Sequence, residues 1–153
     1  MFLANQISKL LSILIGDKRE RLFAYSTTQL GVKKSGIRAS IDVGCVEAWM
    51  NIILECFGFL FSNTLSTTIL DQELSRSIRV KKISILEVKR GDIIISPTRG
   101  KSIGHVGVLG DKGVIMSNNS RTGKWSDHLD ISKWYVRYDK EYGLPVNFYR
   151  IVF

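Results

Sequence analysis

From Cys45 to Phe57 the apolar residues Val46, Met50, Ile53 and Phe57 fall three or four positions apart, while Glu47, Asn51 and Glu55 line the opposite side. That is the period of an α-helix, and Gly58 supplies its stop. Upstream, Asp17 to Leu30 reads as another helix, with Asp17 as N-cap, Gly31 as terminator, and Leu22, Phe23 and Leu30 facing inward. Before it, Leu3, Ile7, Leu10, Leu11, Leu14 and Ile15 recur at helical spacing, which predicts an amphipathic helix over residues 1–16 packed on the domain. Residues 31–44 are polar and glycine-containing, so a loop leads directly into Cys45. A short helix is expected near Ile69 to Ser75.

The second half of the chain changes period. Asp92 to Ser96, His105 to Leu109, Val114 to Ser117 and Phe148 to Phe153 are short branched or aromatic runs separated by turn residues, the pattern of strands. Helices first and antiparallel strands afterwards predict a single α+β domain over residues 1–153, its N-terminal helices packed on an antiparallel sheet. The turn Gly110-Asp-Lys-Gly113 joins two of these strands. Symmetrical pairing across it, with Gly110 opposite Gly113, sets Asn118 opposite His105 with their Cβ atoms about 5 Å apart. A one-residue bulge would bring Ser117 or Asn119 there instead.

Composition adds limits. The chain has 153 residues, 44% of them hydrophobic and 24% charged, enough for one ordinary core and unlike a disordered chain. Its two cysteines, Cys45 and Cys56, fall on one predicted helix about 16 Å apart, beyond the ~7 Å reach of a disulfide. Cys45, Cys56, His105 and His128 stand at spacings unrelated to zinc motifs, so no metal is expected. The formal charge of +8 implies an anionic partner. No nucleic-acid-binding signature accompanies it, so no specific nucleic acid is expected. No run is long and apolar enough for a transmembrane segment, and residues 2–15 lack the basic lead and cleavage site of a signal peptide.

The chemistry concentrates at two places. Cys45 follows Gly44 at the start of the strongest helix, where free N–H groups and the macrodipole favour a thiolate and can stabilise an oxyanion. His105 lies in Gly104-His-Val-Gly-Val, flanked by small residues that leave space around its ring. Glu47, two residues past the cysteine, reads as a solvated helix residue whose charge would raise the thiol pKa. Cys56 reads as a small buried hydrophobe, Asp92 as structural and His128 as a surface residue. Trp125, Trp134, Tyr135, Tyr138 and Tyr142 read as core and cover for the sheet.

In order, Asp42-Val-Gly-Cys-Val-Glu-Ala-Trp, Arg90-Gly-Asp-Ile-Ile-Ile-Ser, Gly104-His-Val-Gly-Val and Ser117-Asn-Asn-Ser resemble the NlpC-like and CHAP branches of the papain-like cysteine peptidases. Gln29-Leu-Gly-Val is similar to the helix end that precedes the cysteine loop there. The resemblance covers about residues 20 to 153, although the frequent Asp-Cys-Ser-Gly is here Gly44-Cys45-Val46-Glu47. It implies a papain-like fold with Cys45 as nucleophile, His105 as base and Asn118 as the residue orienting the ring. It also implies an amide of bacterial peptidoglycan, in a stem peptide or cross-link, as substrate, with no cofactor and with anionic wall polymers bound by the basic surface. A phage-associated variant of the motif makes action at the cell wall, from a virion or by a lysis route, the expected setting. Two other readings fit the same residues: an acyltransferase or transpeptidase using Cys45 and His105, and an inactive binding or virion assembly module.

Overall fold

The computed structural model describes residues 3, 4, 6 and 17–152, so most of the helix expected over 1–16 lies outside the described residues. Asp17 caps the first helix described in full, α1 (Lys18–Thr28), its carboxylate accepting the Glu20 N–H at 3.2 Å. Leu22 is its fully buried anchor, with Phe23 packed at the core margin. The helix stops two residues before Leu30, and Gly31, at φ +85°, donates its N–H to the Trp125 carbonyl at 2.8 Å. The second helix, α2, occupies Cys45–Phe57 and closes on Gly58 in the left-handed region, as its period predicts. A third, α3, runs Thr67–Arg76 behind a Ser66 cap, three residues longer than expected.

Six strands follow: β1 (Val80–Ile83), β2 (Ile93–Ser96), β3 (His105–Leu109), β4 (Val114–Asn118), β5 (Trp125–Asp130) and β6 (Asn147–Ile151). They form one antiparallel sheet in the order β1-β6-β2-β3-β4-β5. The four strands legible in the sequence are the four inner ones. Both strands that were not read, β1 and β5, are edges. Edge strands carry charge and polarity that blunt further pairing, and Lys81, Lys82, Asp127 and His128 erase the apolar alternation here.

Both sheet faces are covered. One packs α2 through Val46, Trp49, Ile53 and neighbours against Ile93, Ile95, Val106, Val108 and Met116. The other is covered by α4 (Ile131–Trp134), which continues as a π-helical segment over Tyr135–Glu141. Trp134, Tyr138 and Leu144 there meet Ile94, Leu109, Ile115 and Phe148. Coverage on both sides explains why Ile93-Ile94-Ile95 is a continuous apolar run. Beneath this layer Asp92, fully buried, takes a bidentate pair of 2.8 Å bonds from Arg150 and a third from the Lys89 N–H. Its role is structural, as the sequence suggested.

The β3–β4 hairpin departs from the symmetrical register. Lys112, at φ 55°, and Gly113, at φ 76°, both turn left-handed, and the loop holds three residues rather than two. Gly110 therefore donates to Val114 at 2.7 Å, and Gly107 faces Ser117. This one-residue shift changes which side chain of β4 shares a face with His105.

Candidate active site

Cys45 and His105 line a common cleft of about 330 Å3 at the end of the sheet where β3 begins. Each is preceded by a glycine that nothing larger can replace. A Cβ on Gly44 would stand 2.6 Å from the Ser35 Cβ, and one on Gly104 would stand 1.8 Å from the Ser96 carbonyl oxygen. The backbones carrying the thiol and the imidazole are thus pressed against their neighbours.

The sulfur is buried, with the backbone N–H groups of Val46, Cys45 and Val106 near enough to favour its anion. Two come from the free N-terminus of α2 and the third from β3, whose ladder to β4 extends only to Gly107. Burial dominates: it pushes the thiol up to about 11, and the three donors only partly oppose it. The low-pKa thiolate expected from the helix terminus is therefore not the resting state. The helix end is there, but water is not, and desolvation of the anion outweighs the dipole.

His105 lies beneath an aromatic cover. Its ring centroid is 5.3 Å from that of Trp134 and 5.9 Å from that of Tyr138, and the residue is 8% exposed. The open space expected from the flanking glycines is filled from the far end of the chain. Burial, and then the positive charges of His128 and Arg137, push the imidazole down to about 3. At neutral pH the pair thus rests as thiol and neutral ring. A neutral ring is the form able to take a proton.

The remaining positions sort by strand parity. Ser117 faces Gly107 across the ladder and so shares the face of His105, its hydroxyl fully buried and without a hydrogen-bond partner. Asn118 also lines the cleft, but its amide is engaged elsewhere. Its Oδ1 accepts from the Ser35 hydroxyl at 2.7 Å and its Nδ2 donates to the Ile41 carbonyl at 3.0 Å, tying β4 to the loop that delivers Cys45. Asn119, opposite His105 if the pairing ran on past the end of β4, donates its N–H to the Lys124 carbonyl, and its Oδ1 accepts from the Arg121 N–H at 2.9 Å.

Glu47 is not the solvated residue its position suggested. It is buried, with Oε1 accepting from Gly36 N–H at 2.7 Å and Ile37 N–H at 3.3 Å, and Oε2 accepting from Arg38 N–H at 2.5 Å. Burial alone would raise its pKa, but these donations outweigh it and hold the carboxyl below the usual range. Glu47 thereby fastens the loop before Cys45 onto α2. The missed signal was an acid in an otherwise apolar first turn. His128, exposed on β5, lines the same cleft, as do Lys101, Arg137, Tyr138 and Tyr142. Sequence spacing pointed to none of these. Cys56, buried at the far end of α2, has its thiol 3.8 Å from the Arg21 carbonyl and takes no part in the cleft.

Residues 42–152 match the family model described as bacteriophage peptidoglycan hydrolase. The chain belongs to that family. The matched span opens three residues before Cys45 and closes just after β6, so it encloses the whole cleft. The protein is accordingly an enzyme that hydrolyses peptidoglycan. No curated protein matches the chain. Among solved structures it is similar to a chain of the type VI native effector–immunity complex Tae3–Tai3 from Ralstonia pickettii. The TM-score is 0.57 at 18% identity, over 88% of this chain and 99% of that one. At that identity the likeness speaks to fold, and the fold is the papain-like α+β class expected from the sequence.

Proposed function

We propose that the hydrolase cleaves an amide bond of peptidoglycan through a covalent acyl intermediate on Cys45, with His105 as general base and acid. The observation that carries this reading is the sulfur at the open end of α2, with backbone N–H groups around it, in one cleft with a neutral imidazole. Those donors suit an oxygen or sulfur that becomes negative during reaction. Because thiol and ring both rest neutral, proton transfer from sulfur to imidazole accompanies attack on the carbonyl rather than preceding it. The tetrahedral oxyanion collapses, the amine departs with the proton from His105, and water activated by the same ring releases the acyl group. No step calls on a cofactor.

For the third position, the pairing leaves Ser117 and Asn119 on the face of His105; Asn119 Oδ1 already accepts from the Arg121 N–H, which favours Ser117. Its hydroxyl lies on the face of His105, across from Gly107, and has no hydrogen-bond partner among the described residues, which leaves it free to orient the ring. Asn118 serves instead to hold Ile41 and Ser35 in front of the nucleophile. The residue order that resembles NlpC-like and CHAP enzymes supports the same roles for Cys45 and His105. Incubation with purified peptidoglycan, followed by mass analysis of the fragments, tests the reading. Wild type is expected to release new amine and carboxyl termini, and Cys45→Ala to release none while unfolding at the same temperature. Equal release by the two proteins would end it. Fragments joined to an added amine, rather than to water, would assign the acyltransferase reading.

A further inference from the structure

We propose that the cleft selects a stem peptide bearing a free carboxylate near the scissile amide, and that Arg137 is the residue that reads it, with Lys101 in support. The inference rests on the assignment of Cys45 and His105 as the reacting pair. Among the described residues lining the cleft there are Lys101, Arg137 and His128, and no aspartate or glutamate. Neither Arg137 nor Lys101 belongs to an ion pair among the described residues. Most lysines and arginines among the described residues are likewise unpaired, so what sets these two apart is their place beside Cys45 and His105 in a cleft with no carboxylate. Two cations left without a counter-ion beside a nucleophile form a site for an anion that the protein itself does not supply.

The backbone is shaped to present Arg137. Tyr135–Glu141 is π-helical, a geometry rare in general and frequent where function requires it. Consecutive residues Arg137 and Tyr138, and then Tyr142, all line the cleft from this one segment. Tyr138 covers the His105 ring, and Arg137 lines the same cleft as His105. Its charge reaches both imidazoles, pressing His105 and His128 downward behind the larger effect of burial. A guanidinium fork matches a carboxylate with two parallel bonds, which a neutral amide in the same place cannot reproduce. Exposed Val43 and Ile103 flank the same opening and suit the alkyl portions of a peptide. A bound carboxylate would also neutralise the charge that opposes protonation of His105, so the selected substrate raises the basicity of the group that works on it.

The test uses two synthetic stem peptides, identical except that the carboxylate is a free acid in one and a primary amide in the other. The wild-type ratio of kcat/KM, acid over amide, is expected to be about 10- to 100-fold. In Arg137→Gln that ratio is expected to collapse toward one, with Arg137→Lys recovering part of it. A merely structural role would lower both substrates together and leave the ratio in place. The same peptides titrated calorimetrically into Cys45→Ala report selection without turnover, and the acid is expected to bind more tightly. If acid and amide bind that variant alike, or if Arg137→Gln keeps the wild-type ratio, the proposal is overturned. If neither peptide is cleaved by wild type while Cys45→Ala still prefers the acid, the carboxylate site stands and the hydrolytic roles of Cys45 and His105 fall.

Discussion

Replacing Glu47 by Gln removes a charge and almost no volume, and so isolates what its carboxylate does for the loop in front of Cys45. Three backbone N–H groups converge on the two oxygens, at 2.7, 3.3 and 2.5 Å. Glutamine keeps one acceptor oxygen but turns an NH2 group toward at least one of these donors. A hydrogen bond to a charged acceptor is worth about 1.5–3 kcal/mol, and a buried N–H left unpaired costs about 1–3 kcal/mol more. One lost bond and one stranded donor together imply a loss of about 3 kcal/mol. For a domain of this size that is a fall in Tm of about 10 °C. The pH dependence has a definite sign. The folded pKa of Glu47 lies below its ordinary value, so its contribution is complete above the unfolded value of ~4.3 and is lost as pH falls through the folded value. Thermal unfolding of both proteins from pH 7 down to pH 3 should therefore show a gap that is widest at neutral pH and closes in acid. Equal melting temperatures at pH 7, or a gap that widens in acid, would refute the carboxylate as the clasp of this loop.

Ser117→Ala should lower kcat about tenfold while leaving Tm unchanged or slightly higher, because it deletes a buried hydroxyl that has no partner in the resting protein. A drop in stability with unchanged kcat would remove Ser117 from the site. For the thiol, alkylation of the free enzyme by iodoacetamide should rise with pH toward about 11 and run slowly at neutral pH, where a thiol of that pKa is only about 10⁻⁴ ionised. A plateau reached by pH 6 would mean that a thiolate–imidazolium pair forms at rest. Gly104→Ala places a Cβ 1.8 Å from the Ser96 oxygen, so β2 and β3 must part beside His105. Activity should fall below detection with at least about 2 kcal/mol of stability lost in urea unfolding, whereas Gly100→Ala, with open space around it but φ +56°, should cost only about 1 kcal/mol.

What the sequence determined by itself was local. The limits of α2 follow from Gly44, a 3.6-residue apolar period and Gly58, all within one short segment. The inner strands announce themselves because coverage on both faces demands branched apolar runs, and Ile93-Ile94-Ile95 between turn residues fits that demand. That Cys45 and His105 were candidates was legible for a similar reason, since each sits at an element boundary marked by its own glycine, and the structure sets both on one cleft. The tertiary structure decided whatever depends on partners distant in the chain. A three-residue loop with Lys112 and Gly113 both left-handed moved the register of β4 and put Ser117, opposite Gly107, on the face assigned to Asn118. The edge strands take their conformation from the neighbours they pair with, not from their own polar residues. Above all, pKa values belong to surroundings. A thiol at a helix N-terminus is acidic only while water or a counter-charge reaches it, and Trp134 and Tyr138, about thirty positions beyond His105, close the base away from solvent. Short-range steric rules act between neighbours in sequence, whereas desolvation and charge act through space, so the inner elements can be read from the chain and the chemistry of a buried site cannot.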